Sequence, residues 1–273
     1  MNVWLVVALV VSLAAAVGAG EALQARGSIS DAHGGFRLDL LAGSALTLAV
    51  IMCSFMLATT YTSYDGAGID ASREAASVSA EYQAATLLPN ESDATTVSQD
   101  VLCYARAVSS DEWPHLGHRA TSSHRVEQWR VRLQSDLRRI GMTRNSPAVQ
   151  DLRTADQDRA LTHQVRLTTA VNRTPLYLFV LLIAVAAAAI FFVTAFTVHT
   201  IPRRLRVAVV GVLTLLLAGT LAVIIDLNHP YNGVSRLGPE AMNRATAMNA
   251  ANYSDLFQGA RITACDAEGR RTV

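Results

Sequence analysis

The chain has 273 residues, 51% of them hydrophobic but only 6% aromatic, and a formal net charge of +1. That balance excludes a strongly basic nucleic-acid surface, so no nucleic-acid partner is expected. The three cysteines, Cys53, Cys103 and Cys265, show neither C-x-x-C nor Cys/His spacing, so no metal site and no cofactor are expected. Every basic residue is arginine, a bias that GC-rich codon usage produces.

The apolar residues gather into four runs separated by polar chain, the pattern of a membrane protein carrying an aqueous domain. The first, 3–20, is at the short end of a span; no basic residue precedes it, so it reads as an anchor helix and not as a signal peptide. The second, third and fourth runs cover 40–61, 176–196 and 207–225. None of the four holds an ionisable residue in its interior, which disfavours a proton-driven transporter. Ser44, Thr47, Ser54 and Thr214 either line an ion path or hydrogen-bond between helices, with the second reading favoured. Gly43, Gly211 and Gly219 are expected to permit close helix contacts.

Residues 62–175 read as an aqueous domain of four helices. TSYDGAG (62–68) is the expected hinge, Asp70 the expected N-cap of the first helix, and Pro89 lies just past its end. The second helix presents Val97, Val101, Leu102, Ala105 and Val108 on one face. In the third, Val126, Trp129, Leu133, Leu137 and Ile140 recur at spacings of three and four, a core stripe. Ser123 is placed to cap its start and Gly141 its end, and Arg130, Arg132, Arg138 and Arg139 form a solvated face. The fourth helix begins at Pro147. The segment DEWPHLGHR carries Asp111, Glu112, His115 and His118, acids and imidazoles suited to metal or acid–base work. Pro114 and Gly117 favour a helix-to-helix connection instead. No nucleophile elbow, phosphate loop or H-E-x-x-H motif occurs, so no catalytic residue is assigned and the protein is not expected to be an enzyme.

Thr174 and Pro175 open the third span, and TVHTIPRRLR (197–206) joins it to the fourth with Arg203, Arg204 and Arg206. Short basic loops stay cytoplasmic, which places both termini and residues 62–175 outside. On that side Cys103 and Cys265 would be free to pair, although their spacing alone does not establish a bond. Residues 226–233, DLNHPYNG, end the fourth span: His229 and Pro230 stop the helix, Asn232 and Gly233 turn the chain, and Tyr231 suits an interfacial anchor. Pro239 then opens a last helix. Asp226 and His229 are also candidates for an ion entrance or a polar lock. The fold class expected is all-α: 1–61 as the first two membrane helices, 62–175 as the aqueous domain inserted between the second and third, 176–225 as the last two membrane helices, and 226–273 as a turn and helical tail.

EYQAATLLP, VLCYARAV with DEWPHL, RTPLYLFVLL and DLNHPYNGVSRLGPEAM follow one another in order. Together they resemble the bestrophin-like family of bacterial multi-pass membrane proteins, from about Asp65 to Met242. The pair Glu112–Trp113 and the turn Asp226…Pro230–Tyr231…Gly233 are the most specific parts; the family usually has Phe where this chain has Tyr231. The resemblance implies kinship with pentameric anion channels that have four membrane helices per subunit and a cytosolic helical part, whereas the charge reading puts 62–175 outside. No pore residue carries over from it. The expected function is an oligomeric anion channel in the bacterial plasma membrane, conducting chloride or another anion. The alternative is a non-enzymatic accessory or scaffold subunit of a membrane complex, with a membrane-protein partner in place of a homo-oligomer.

Overall fold

The computed structural model describes residues 3–25, 38–116, 121–143, 146–171, 174–196 and 202–272. Among these the protein is all-helical, with one isolated bridge between Cys265 and Arg271 and no strand. The helices are α1 (Val3–Ala25), α2 (Leu38–Thr86), α3 (Glu91–Ala107), α4 (His124–Thr143), α5 (Pro147–Val171), α6 (Leu176–Phe196), α7 (Arg203–Leu227) and α8 (Glu240–Leu256). A π-turn, Val108–Glu112, and a 3-10 turn, Trp113–His115, follow α3. The chain divides into two compact units: Met1–Ser63 with Arg173–Asn228, and Tyr64–Asn172 with His229–Val273.

In the first unit, Leu13, Met56, Leu182, Ile190, Leu221 and Ile224 are buried in one apolar cluster. Among the described residues three candidates are long and apolar enough to cross a membrane: Ala42–Thr86, the α6 part of Pro147–Ala195, and Val207–Leu227. α1 is helical over Val3–Ala25, and its apolar stretch Val11–Ala22 is shorter. The close helix contact falls at Gly20, where an added Cβ would lie 2.7 Å from Thr194 Cβ on α6. The contacts expected at Gly43, Gly211 and Gly219 are absent, since a Cβ at any of them meets nothing within 4 Å among the described residues. Among the described residues Thr47 and Thr214 do not bond between helices either. Their hydroxyls donate to the carbonyls of Gly43 and Val210 in their own helices, at 2.9 and 2.8 Å. This satisfies the hydroxyl in an apolar medium without a partner helix.

The second unit holds the larger core. The stripe expected on α4 is buried in full, and Trp129 is a core residue. Ser123 caps α4 through its Oγ, which accepts from Val126 N at 3.2 Å. The expected end at Gly141 is passed, because α4 runs on to Thr143. The stretch 62–68, expected as a hinge, is helical, and the boundary between the two units falls within it, after Ser63. α2 is one helix of 49 residues through Gly66 and Gly68, and Asp70 lies inside it, where it accepts from Thr169 Oγ1 at 2.8 Å. Each helical glycine costs about 1 kcal/mol relative to Ala. Burial of Ala67, Ala71, Ala75 and Val78 against the core outweighs that cost.

The C-terminal tail closes on α3 and α4. A disulfide joins Cys103 to Cys265. Trp129 Nε1 donates to Gly269 O at 2.7 Å, and Ser110 Oγ and Arg125 Nη1 donate to Glu268 O at 2.7 and 3.2 Å. Gly269 has φ +70°, and a Cβ there would lie 2.5 Å from Ala107 N, so no other residue fits without displacing backbone.

Candidate functional site

Two helices of the second unit meet along a polar seam. On α2 the inward positions Ala67, Ala71, Glu74, Val78, Glu81 and Ala85 recur at spacings of three and four. On α5 the same rhythm runs Val149, Leu152, Arg159, His163, Arg166 and Ala170. The helices are antiparallel here, and their rungs match: Asp70 with Thr169, Glu74 with Arg166, Ser77 with Thr162 at 2.8 Å, and Glu81 with Arg159.

Arg166 is fully buried and addresses two carboxylates. Its Nε donates to Glu74 Oε2 and its Nη2 to Glu112 Oε1. His163 sits between the same two acids, with Nδ1 2.8 Å from Glu74 Oε1 and Nε2 3.6 Å from Glu112 Oε2. Glu112 also accepts from Ser123 N at 3.2 Å, which fixes the connection into α4. Two turns earlier on α5, Arg159 is shared by Glu81 and Asp156. Its guanidinium lies over the Tyr104 ring at 4.3 Å, while that of Arg166 lies over Trp113 at 4.8 Å. Tyr104 OH donates to Glu74 Oε1 at 3.4 Å.

The electrostatics differ between the two halves. Burial alone would raise the Glu74 carboxyl, but Arg166 and His163 outweigh it and hold the group down at about 2. Burial pushes Glu81 up to about 7, because Arg159, its counter-ion, is divided with Asp156. Glu81 Oε1 and Arg159 Nη1 have no hydrogen-bond partner among the described residues. Burial drives the Tyr104 phenol up, and the Glu74 charge drives it further. The cluster holds charge and can hold a proton.

The connection DEWPHL forms one wall of this cluster. Trp113 Nε1 donates to Leu237 O at 3.0 Å, and its ring meets Tyr231 edge-on at 5.8 Å. Tyr231 is buried, with OH donating to Ala67 O at 3.4 Å. The turn that carries it is closed by Asn232 N on His229 O at 3.0 Å and Leu237 N on Pro230 O at 2.7 Å. A Bestrophin-like domain family model matches residues 4–242. The chain belongs to the Bestrophin-like family. Solved structures share its fold. A point-mutant form of a bacterial bestrophin homologue from Klebsiella pneumoniae has a TM-score of 0.71 and 11% identity, covering 92% of this chain and 99% of that one. A zinc-phased structure of the Klebsiella pneumoniae homologue gives 0.68 at 10% identity over 92% and 99%. A protein described only as a membrane protein variant gives 0.69 at 10% over 91% and 98%. At such identity the likeness is one of fold. No curated protein matches the sequence.

Within this bestrophin-like chain, Glu112, Trp113, Pro230 and Tyr231 come together in the second unit. Tyr231 is therefore a core residue and not an interfacial anchor, because Trp113 and Ala67 enclose it. Gly233 takes part in the turn without a left-handed backbone angle. His229 is buried at the start of that turn. Asp226 lies in the last turn of α7, half-buried, in the first unit. Ser44, Thr47 and Ser54 form a separate exposed row on α2. Asp111 pairs with Arg125 at 3.3 Å, His115 is exposed with Nδ1 2.7 Å from Asp111 O, and Gly117 and His118 lie outside the described residues. Residues 197–201 also lie outside them, while Arg203, Arg204 and Arg206 belong to the first turn of α7. Sequence reading missed Glu74, Glu81, Arg159, His163 and Arg166. The signal was available: charges occupy the core register of α2 and α5, where solvated charges would fall off the stripe.

Proposed function

We propose that the protein is an oligomeric anion channel of the bacterial plasma membrane, a membrane protein of channel type and not an enzyme. In this reading α1, the apolar part of α2 (40–61), α6 and α7 are four spans, with the helical domain inserted between the second and third. The observation that carries it is the outer face of α2, where Ser44, Thr47, Ile51, Ser54 and Ala58 all lie exposed at helical spacing. A row of hydroxyls and aliphatic groups without charge suits a pore that passes an anion and gates by dewetting. Copies of the chain around an axis would supply the rest of the wall. Family membership supports the same reading. Asp226 and His229 are retained as a polar lock or ion entrance at the end of α7.

The test is chloride flux from purified protein in liposomes. Conductance that changes when Ser54 or Thr47 is replaced by Leu supports the channel. Silence across voltage, calcium and pH, from a folded oligomer, removes it. One observation favours the accessory reading: Met142, Leu161 and Met248 stand exposed on the helical domain. Stoichiometric co-purification of another membrane protein, with no ring of identical subunits, would select it.

We also propose that the helical domain is extracytoplasmic. The Cys103–Cys265 disulfide supports this, since such bonds persist on the oxidising side of the membrane. On intact spheroplasts, an impermeant thiol reagent should label both cysteines only after external reduction. Labelling that requires permeabilisation would reverse the orientation.

A further inference from the structure

We propose that Glu81, Arg159 and Asp156 form a proton-operated latch between α2 and α5, closed when Glu81 carries a proton and weakened when it does not. The inference concerns the second unit alone and does not depend on the channel reading.

Charge and geometry carry it. Arg159 and Glu81 have fully buried side chains, and Asp156 is 13% exposed. One guanidinium therefore serves two carboxylates. With both ionised, a net negative charge stands in the core beside Glu81 Oε1, an oxygen with no hydrogen-bond partner among the described residues. Isolated buried charge is expensive, and the cheapest relief is protonation. A proton on Glu81 leaves Arg159 and Asp156 as a balanced pair and returns the core to neutrality. Above neutral pH the proton is lost, the excess charge reappears, and the seam opens locally.

The surrounding groups do not cancel that charge. On α5, His163 is turned to Glu74 and Glu112, and Arg166 is committed to the same two acids. On α2, Glu74 adds a further negative charge. On α3, Tyr104 contributes a ring face to Arg159 and a hydroxyl to Glu74. On α4, Arg130 is occupied by Glu127 at 2.5 Å. The other half of the seam is different in kind: Glu74 shares Arg166 and also receives His163, so its charge is met from two sides. The latch is thus confined to the Glu81 end. That end lies beyond the apolar part of α2, on a helix that continues unbroken from it.

The experiment is amide hydrogen exchange on the full chain in detergent at pH 6 and pH 8, corrected for intrinsic rates. Protection of α5 around Asp156 to Arg166 should fall roughly tenfold at the higher pH, the size of a one-unit displacement of a single proton equilibrium. Glu81→Gln should be protected equally at both values. Asp156→Asn frees Arg159 for Glu81 alone, so the opening should no longer depend on pH across this range. Equal protection of the unsubstituted chain at both pH values overturns the latch. So does full pH dependence surviving in Glu81→Gln, or vanishing in His163→Gln, since the proton would then sit elsewhere. If Glu81→Gln does not fold, Asp156→Asn decides, and an unchanged pH dependence in it overturns the proposal.

Discussion

Arg166 on α5 and Glu112 in the turn after α3, 54 positions apart, share a fully buried ion pair, and the same guanidinium also holds Glu74 of α2. Three chain segments are therefore tied through one side chain. A buried ion pair is not in itself strongly stabilising, because desolvation offsets most of the attraction. Removing one member is another matter, since it leaves the others charged and unpaired.

Arg166→Met should accordingly destabilise the helical domain by about 3–5 kcal/mol, as uncompensated buried carboxylates do. Glu112→Gln should cost less, about 1–3 kcal/mol, because Arg166 keeps Glu74. Arg166→Lys should not restore stability: an ammonium cannot present two separate edges to Glu74 and Glu112. Denaturant unfolding in detergent reads all three. A midpoint for Arg166→Met equal to that of the parent chain would refute the ion-pair assignment.

The pH dependence of stability follows from three buried acids. Burial pushes Glu81, and Asp100 of α3, which accepts from Arg132 Nε of α4 at 2.7 Å, up to about 7, in each case against the pull of one arginine, while in the unfolded chain they ionise near 4.5 and 3.8. Between those values and about 7 the native state holds protons that the unfolded chain has released. Stability must then fall as pH rises through this window. Glu74 acts in the opposite sense. Its carboxyl is held at about 2, so its contribution is present above about 4.5 and lost as pH falls toward 2. The thermal midpoint should therefore peak near pH 4.5 and decline on both sides. A midpoint that climbs steadily from pH 4.5 to 7.5 would contradict these assignments.

The disulfide closes a segment between positions 162 residues apart. Replacing Cys103 and Cys265 together by Ser should cost about 2–5 kcal/mol, largely through the greater freedom of the unfolded chain. Reductant should lower the thermal midpoint of the parent chain and leave the double variant unmoved. Equal sensitivity of both would mean that the bond does not form.

What the sequence disclosed, and what it hid, divides by the kind of burial. Val126, Trp129, Leu133, Leu137 and Ile140 were legible because apolar periodicity is read directly as a core face. The apolar character of α2, α6 and α7 was legible for the same reason. Glu74, Glu81, Arg159 and Arg166 were not, because charge is ordinarily a sign of solvent, and their partners lie 78 and 92 positions away. Only the registers of α2 and α5 taken together show that the charges fall on the inward stripe of both. The pairing of Cys103 with Cys265 was conceivable but unfixed, since spacing carries no information on distance. Tyr231 misled for a related reason: an aromatic after a membrane run suits an interface equally well until Trp113 is placed against it.

Gly269 should be the least replaceable residue of the tail. With φ +70° and Ala107 N at 2.5 Å from any added Cβ, Gly269→Ala combines a left-handed backbone with a backbone clash, a loss of about 2 kcal/mol or more. The hydrogen bond from Trp129 Nε1 to Gly269 O would be strained with it. Indole fluorescence and the unfolding midpoint should shift together. A variant with parent-like values in both would show that the tail does not seat there.

Gly66 gives the opposite expectation and discriminates between two descriptions of α2. If 62–68 were a hinge, alanine there would stiffen a joint the protein needs. In the continuous helix a Cβ at Gly66 meets nothing within 4 Å, and the backbone is already helical. Gly66→Ala should then stabilise the protein by about 0.5–1 kcal/mol, because the unfolded chain loses freedom that the folded helix never used. The hydroxyls of Thr59, Thr60 and Thr62 donate to carbonyls three or four residues back, so they are satisfied within the same helix. A raised midpoint is the expected result. A lowered midpoint would mean that Gly66 serves a backbone angle or a close approach that alanine does not allow.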